Sequence, residues 1–353
     1  MDLDNVRHIA KLDKENMCDL LVSFPRQCTD ALFIAEHSTV KEAYRRKYSN
    51  IVFTGLGGSA IGADIVKDYI GGETNVPIIV NRDYTMPEFV NKASLVFAVS
   101  YSGNTEETLS AYMDARKKRA KIIVITSGGR LKELALKNRD ALALVPKGYP
   151  PRCALGYSLI PALVMLSKCG LIKGKKHEIK KAVQFLGTLQ KKKLAPYVSE
   201  GVNIAKNVAR IAHNRFPVVY SSNKIASVAT RWRGQFAENA KTLASTHLLP
   251  EMNHNEIVGW VHPKKILGAF LAIMLRDKDN HRRVKKRMDI TADILRKNGF
   301  TVLEIESQGK TLLERILSLI YIGDFTSFYL SILNKTNPTP VDRITYLKKQ
   351  LSK

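Results

Sequence analysis

Two short stretches of the chain carry residue types suited to holding a phosphate. The first is Ser100-Tyr101-Ser102-Gly103-Asn104-Thr105-Glu106-Glu107-Thr108. It follows the apolar run Leu95-Val96-Phe97-Ala98-Val99, which reads as a buried parallel strand. It precedes Leu109–Arg116, whose apolar residues fall at helical spacing. The stretch is therefore a turn from a strand end into a helix N-terminus. Unpaired backbone N–H groups and the positive end of the helix dipole suit an anion there. Ser100, Ser102 and Thr105 add hydroxyl donors. The same residues equally suit a capped helix start, with Thr105 or Asn104 as N-cap.

The second stretch is Gly55-Leu56-Gly57-Gly58-Ser59-Ala60-Ile61-Gly62, after the strand-like Asn50-Ile51-Val52-Phe53-Thr54. The pattern G-x-G-G-S-x-x-G approaches a dinucleotide fingerprint. A nicotinamide enzyme would want an acid about 20 residues on, at the end of the next strand. Asp83 lies somewhat beyond that, with Arg82 beside it. Two small-residue turns at the C-terminal ends of two parallel strands can instead close on one phosphate.

Other residues are able to move protons or stabilise charge. Within Arg231–Ala244, Trp232, Phe236, Ala240 and Leu243 form one apolar helical stripe. Glu238 lies off it with Arg231, Gln235 and Thr242, where a surface carboxylate would pair with Lys241. His254 sits in the polar loop Glu251-Met252-Asn253-His254-Asn255-Glu256, whose side chains are able to orient its ring. Arg152 ends a proline-rich break, Pro146 to Arg152. By residue type alone these are a surface glutamate, a loop histidine and a linker arginine. His247, His254 and His262 lack metal-ligand spacing, so no metal site is expected.

G-x-G-G-S followed about 40 residues later by S-Y-S-G-N-T-E-E-T resembles the sugar isomerase (SIS) domain family, whose members bind phosphosugars. Phe236-Ala237-Glu238-Asn239-Ala240-Lys241 and Glu251–Glu256 resemble one branch of it, the bifunctional phosphoglucose/phosphomannose isomerases, mainly archaeal. The likeness runs over nearly the whole chain. It implies an α/β fold of two SIS-type domains, each a mainly parallel doubly wound sheet flanked by helices. It implies aldose–ketose isomerisation of glucose 6-phosphate or mannose 6-phosphate and fructose 6-phosphate, through ring opening and a cis-enediol, with no cofactor. It assigns phosphate binding to Gly58, Ser59, Ser100, Ser102 and Thr105, and proton transfer to Glu238. Ring opening goes to His254, charge stabilisation to Arg152, and an assisting role to Lys348, with Lys349 as the adjacent alternative. It also implies a homodimer whose subunits share site residues, the histidine among them. The rival reading is a phosphosugar-sensing SIS regulator that binds nucleic acid.

Composition bears on that rival. Lys and Arg outnumber Asp and Glu by 56 to 32 in 353 residues, a net charge of +24. The basic residues are spread along the chain, with clusters at Arg116–Arg119, Lys173–Lys181, Lys191–Lys193 and Arg282–Arg287. No zinc finger or RNA-binding sheet signature accompanies them, so a solvated surface is expected rather than a nucleic-acid site. The acidic N-terminus, the absence of a bilayer-length apolar run and four scattered cysteines point to a cytoplasmic protein with free thiols and no membrane partner.

These residues need a scaffold. Residues 1 to about 48 read as helical, with helices at Arg7–Leu20 and Ala31–Tyr48. Strands follow at Asn50–Thr54, Val76–Val80, Leu95–Ser100, Lys121–Thr126 and Ala141–Val145, alternating with helices, as in a doubly wound parallel sheet. The domains are expected at 1–170 and 171–353. The second half repeats the plan with strands at Phe216–Ser222, Lys265–Leu275 and Thr301–Ile305. It has helices at about 224–244, Asp289–Asn298, Thr311–Leu333 and Val341–Leu351. Val341, Ile344, Leu347 and Leu351 share one face of that last helix, which is expected to dock and carry Lys348 into the site.

Overall fold

The computed structural model describes residues 2–351. Its strands are β1 (Asn50–Thr54), β2 (Ile78–Asn81), β3 (Ser94–Ser100), β4 (Lys121–Thr126), β5 (Ala141–Leu144), β6 (Phe216–Ser222), β7 (Ser245–Leu249), β8 (Phe270–Arg276) and β9 (Thr301–Glu306). Its helices begin with α1 (Val6–Leu12), α2 (Met17–Val22) and α3 (Phe24–His37), then α4 (Gly58–Ile70), α5 (Glu106–Lys117) and α6 (Gly129–Asn138). Next come α7 (Leu155–Lys168), α8 (Lys176–Leu189), α9 (Ile204–Ala212), α10 (Ala226–Glu238) and α11 (Lys264–Leu267). The last are α12 (Arg282–Lys297), α13 (Leu312–Leu333) and α14 (Asp342–Leu351).

Two parallel sheets result. The first has the order β2-β1-β3-β4-β5 and the second β7-β6-β8-β9. Ile51 pairs with Ile78 on one side and Leu95 on the other, and Val219 lies likewise between Thr246 and Ile273. The orders match element for element: β7, β6, β8 and β9 stand where β2, β1, β3 and β4 do. In each, the chain reverses its direction of winding between two central strands, β1 and β3 or β6 and β8. That is where doubly wound sheets hold ligands, at the carboxyl ends.

Helices on both faces explain why the central strands read as unbroken apolar runs: every residue of β1 and β3 is buried. On one face of the first sheet, Val52, Val96, Ala98 and Val124 pack against Tyr112 and Ala115 of α5 and Leu131 and Ala135 of α6. On the second sheet, Val218, Tyr220, Ala272 and Met274 pack against Met288, Ala292 and Leu295 of α12. Each Val, Leu or Met among these contributes about 1.5–3 kcal/mol when fully buried, and each Ala less.

The described chain separates into two compact units. One holds β1–β5 and comprises Ser23–Gly187 with Gly309–Ile316. The other holds β6–β9 and comprises the residues through Val22, Thr188–Gln308 and those from Leu317 on. Helix α13 has the length and composition of a membrane span, with 22 residues and mean hydropathy 1.6, yet its apolar window is wholly buried in the protein.

Some elements differ from the sequence reading. The first 48 residues form three short helices and an irregular segment rather than two long helices. Asp13 breaks the first run: its carboxylate accepts from Met17 and Cys18 backbone N–H groups at 2.8 Å each, capping α2. Ser23 precedes a proline in the first turn of α3, which starts that helix. Helix α10 ends at Glu238, and Lys241 adopts a left-handed φ of 55°. β7 has no counterpart in the sequence reading, and α12 begins at Arg282 rather than Asp289.

Candidate active site

The two turns singled out in the sequence sit side by side at the switch point of the first sheet. β1 enters α4 through Gly55–Gly58, and β3 enters α5 through Tyr101–Thr105. The Tyr101 N–H donates to Ser59 Oγ at 3.1 Å, which ties one turn to the other. The Ser100 and Thr105 hydroxyls lie 2.8 Å apart, and Ser100 Oγ accepts from the Gly103 N–H at 3.1 Å. Ser102 Oγ accepts from the Asn104 N–H at 3.2 Å. Gly103 has φ 73°, a conformation that favours glycine.

Thr105 does occupy the N-cap position of α5, but its hydroxyl caps nothing there. Asn104 Oδ1 accepts from the Arg130 N–H at 2.9 Å. The N-cap of helix α4 is Gly57, which has no side chain to cap with. Neither helix start has a side-chain cap. In α4 the Ser59 and Ala60 N–H groups donate to the Leu56 carbonyl at 3.0 and 3.4 Å, and the positive end of each helix dipole at the switch point suits an anion.

Arg152 belongs to the same place. It is 3% exposed, in a 3-10 turn at Pro151–Cys153, not in an open linker. The backbone of that turn lies flush on Gly58: a Cβ there would sit 2.5 Å from the Pro151 carbonyl oxygen and 3.0 Å from the Arg152 nitrogen. Tyr101 adds a second link. Its hydroxyl donates to the Pro146 carbonyl at 2.8 Å and accepts from the Tyr149 N–H at 3.0 Å. Burial raises the Tyr101 hydroxyl pKa, which keeps it a neutral donor. Sequence reasoning passed over Tyr101; its place between two phosphate-type serines was the available signal. Gly58, Ser59, Ser100, Ser102, Thr105 and Arg152 are therefore brought together in one unit.

Glu238, His254 and Lys348 lie in the other unit. Glu238 is the last residue of α10 and is half-buried. The helix face below it is not solvated as its polar pattern suggests. Arg231 donates to both Asp324 oxygens, Nε at 2.9 Å and Nη2 at 2.8 Å, and Gln235 Nε2 donates to the same carboxylate at 2.9 Å. All three are buried. Burial raises the Asp324 carboxyl, and the Arg231 charge opposes that. Asn239 Nδ2 donates to Ser327 Oγ at 2.9 Å, and Asn334 Nδ2 to the Ala240 carbonyl at 2.9 Å. Six side chains thus fasten the end of α10 to α13 and its continuation. The predicted apolar stripe stops at Ala240, since Leu243 is 76% exposed. Lys241 Nζ donates to the Glu238 carbonyl at 2.7 Å.

His254 is exposed at the end of a short 3-10 turn, Glu251–His254. Asn253 Nδ2 donates to Thr291 Oγ1 and Asn255 Nδ2 to Glu251, at 2.9 Å each, bracing the turn. Glu256, expected to flank His254, instead faces His247 Nδ1 at 2.8 Å and accepts from the Tyr220 hydroxyl. Trp260 Nε1 donates to that hydroxyl at 3.0 Å. Lys348 lies on α14, which has no buried residue. Ile344, Leu347 and Leu351 are 42%, 57% and 62% exposed, so the expected docking of this face does not occur within the chain. Among the described residues, no group of three or more His, Cys, Asp or Glu is placed to hold a metal.

Comparison with known proteins adds to this geometry. Residues 45–136 match the SIS domain, and residues 201–351 match the bacterial phospho-glucose isomerase C-terminal SIS domain. A bifunctional phosphoglucose/phosphomannose isomerase of Caldicellulosiruptor bescii is 43% identical over 337 residues, 95% of this chain and 99% of that protein. One of Thermoplasma acidophilum is 38% identical over 306 residues, 86% of this chain and 90% of that protein. The crystal structure of a glucose-6-phosphate isomerase like protein from Thermus thermophilus shares the fold. Its TM-score is 0.63 at 17% identity, over 97% of this chain and 98% of that one.

Proposed function

The chain belongs to the bifunctional phosphoglucose/phosphomannose isomerases of the SIS-domain family, and on that premise we propose how its residues divide the reaction. The activity is aldose–ketose isomerisation, exchanging glucose 6-phosphate or mannose 6-phosphate with fructose 6-phosphate. The reaction sets three tasks: opening the ring, moving a proton between C1 and C2, and stabilising the charge of the enediolate.

The substrate phosphate goes to the turns carrying Gly58, Ser59, Ser100, Ser102 and Thr105. The observation that carries this reading is the uncapped pair of helix starts at the switch point, with Arg152 held flush beside them. Arg152 then supplies the fixed charge for the enediolate. Glu238 is the base that takes the proton from one carbon and returns it to the other. Its backbone is held by the bonds that fasten α10 to α13, as a base that must reach both carbons requires. His254 opens the ring, with Lys348 assisting. Their exposure, and the uncovered apolar face of α14, fit a homodimer in which a second copy completes the surroundings of both. Phosphate binding belongs to the N-terminal domain and proton transfer to the C-terminal one. The four cysteines are free thiols, which fits a cytoplasmic protein.

One assay tests the whole reading. With fructose 6-phosphate as substrate, both glucose 6-phosphate and mannose 6-phosphate should accumulate, each measured by its own coupling enzyme. Formation of neither sugar would overturn it. Formation of one alone would remove the bifunctional assignment.

A further inference from the structure

We propose a second anion site on this protein, remote from the phosphate turns, that takes a small oligophosphate. It lies on the unit holding β1–β5, at the opposite edge of the sheet. There Lys121 opens β4 and Asp140 immediately precedes β5. The phosphate turns lie at the other strand ends, roughly 20 Å away for a six-residue strand. A cavity of about 330 Å³ at this edge is lined by Lys41, Arg116, Arg119, Lys121 and Arg139, with Asp140 the one carboxylate in its wall.

Asp140 is already engaged. Arg116 Nη1 reaches it at 3.3 Å, and the Tyr112 hydroxyl donates to it at 2.6 Å. Lys41, Arg119, Lys121 and Arg139 carry no ion pair among the described residues. Lys41 Nζ reaches only the Arg139 carbonyl, at 3.3 Å. The Lys121 ammonium sits 5.5 Å over the Tyr44 ring. Tyr44 is a fixed floor: its hydroxyl donates to the Ile122 carbonyl at 2.8 Å and accepts from the Ala141 N–H at 3.0 Å. Like charges crowded over such a floor repel one another until an anion enters.

Backbone conformation gives an independent sign. Arg119 and Arg139 have φ of 59° and 56°. They follow the ends of α5 and α6, where glycine or asparagine is the usual occupant because the Cβ of an L side chain crowds its own carbonyl oxygen. Asn16 and Asn214 are ordinary at such φ values. Lys241 offsets the cost by bonding the Glu238, Asn239 and Pro338 carbonyls. Among the described residues neither arginine, nor Lys335 at φ 54° beyond α13, has a comparable side-chain bond; what sets the two arginines apart is that both line the same cavity. A cation near a helix C-terminus does gain from the dipole. Arg116 and Lys117 already obtain that gain within the last turn of α5, without a left-handed backbone.

Size and charge define the ligand. Five cations share one carboxylate, Asp140, whose charge Arg116, Lys121 and Lys41 all feel, and that excess is more than a single phosphate needs. It suits two or three linked phosphates, whether inorganic or the tail of a nucleotide. The cavity is too small for a nucleic-acid duplex. Binding is measured by calorimetry at about 150 mM salt, on the full chain saturated with fructose 6-phosphate, which occupies the phosphate turns. Tripolyphosphate should bind once per chain, and at least tenfold more tightly than orthophosphate. A nucleoside triphosphate should bind within a few-fold of tripolyphosphate if the phosphate chain alone is read. Arg119→Gly with Arg139→Gly should lose tenfold or more in affinity, with isomerase turnover unchanged and the melting temperature at or above that of wild type. Lys121→Met should show the same loss at an unaltered backbone. Displacement of tripolyphosphate by fructose 6-phosphate would overturn the proposal, as would unchanged affinity in both variants.

Discussion

Glu238 and Tyr101 show how much a single side chain's meaning depends on what lies next to it. Glu238→Gln keeps the side chain's shape and removes its basicity. Turnover in both sugar reactions should fall by about 10²-fold or more with KM nearly unchanged; steady-state kinetics showing near-normal turnover would end its assignment as the base. Tyr101→Phe keeps the ring and removes only the hydroxyl that braces Pro146 and Tyr149. One such bond is worth about 1 kcal/mol, so turnover should fall roughly five- to tenfold with phosphate affinity preserved. If Tyr101 acts by holding the turn that carries Arg152, its effect should shrink in an Arg152→Ala background. Full additivity in kcat/KM would separate the two residues. The phosphate-type serines were legible in the sequence because strand–turn–helix spacing is local. The partner of Glu256 was not: His247 lies nine positions back on β7, a strand the sequence reading did not place, and nothing in Glu251–Glu256 points that way. Arg152 read as a linker residue for the same reason, since the backbone of its turn packs on Gly58, far off in the chain.

At the scale of elements, helix α10 is held by a buried ion pair. Asp324→Asn preserves size but leaves the Arg231 charge in the interior without a counter-charge. Removal of one partner of such a pair costs about 3–5 kcal/mol. Denaturant unfolding should register that loss, whereas a change under about 1 kcal/mol would mean that water reaches Arg231. The same helix shows where pattern reading stops. Trp232, Phe236 and Ala240 do mark its buried stripe, but Arg231 and Gln235 are buried as well, and the reason is an aspartate 93 positions away from Arg231. The central strands were legible because two covered faces demand unbroken apolar runs. β7, Ser245–Leu249, is an edge strand, half-buried along most of its length, and its Ser-Thr-His start carries no such signal. The first two turns of α12 consist largely of basic residues, which hid its true start.

Over the whole molecule, a second parallel α/β half was foreseen as a loose repeat of the first, while its edge strand β7 and the way the chain divides between the two units were not. The uncovered face of α14 leads to a further expectation. Sedimentation of the wild-type protein should give a dimer, and Ile344→Asp with Leu347→Asp should shift it toward monomer and lower turnover. A wild-type monomer with full activity would refute sharing of site residues between copies. Despite the net charge of +24, duplex DNA should bind weakly and without sequence preference at about 150 mM salt. Tight, sequence-specific binding in a gel-shift titration would contradict a purely solvating surface. The division of the chain also bears on the time course of its making. The N-terminal residues emerge from the ribosome first, yet they pack in the unit whose sheet is built last. Asp4 accepts from Lys206 Nζ at 2.9 Å, and the Leu21 carbonyl accepts from the Tyr321 hydroxyl at 2.7 Å, 300 positions downstream. At about 5–20 residues per second, that last partner arrives some 15–60 s after Leu21 is synthesised. During that interval Met17 and Leu21, both buried in the finished fold, have no completed core to enter. Residues 4–21 complete their packing only after Tyr321 has been made.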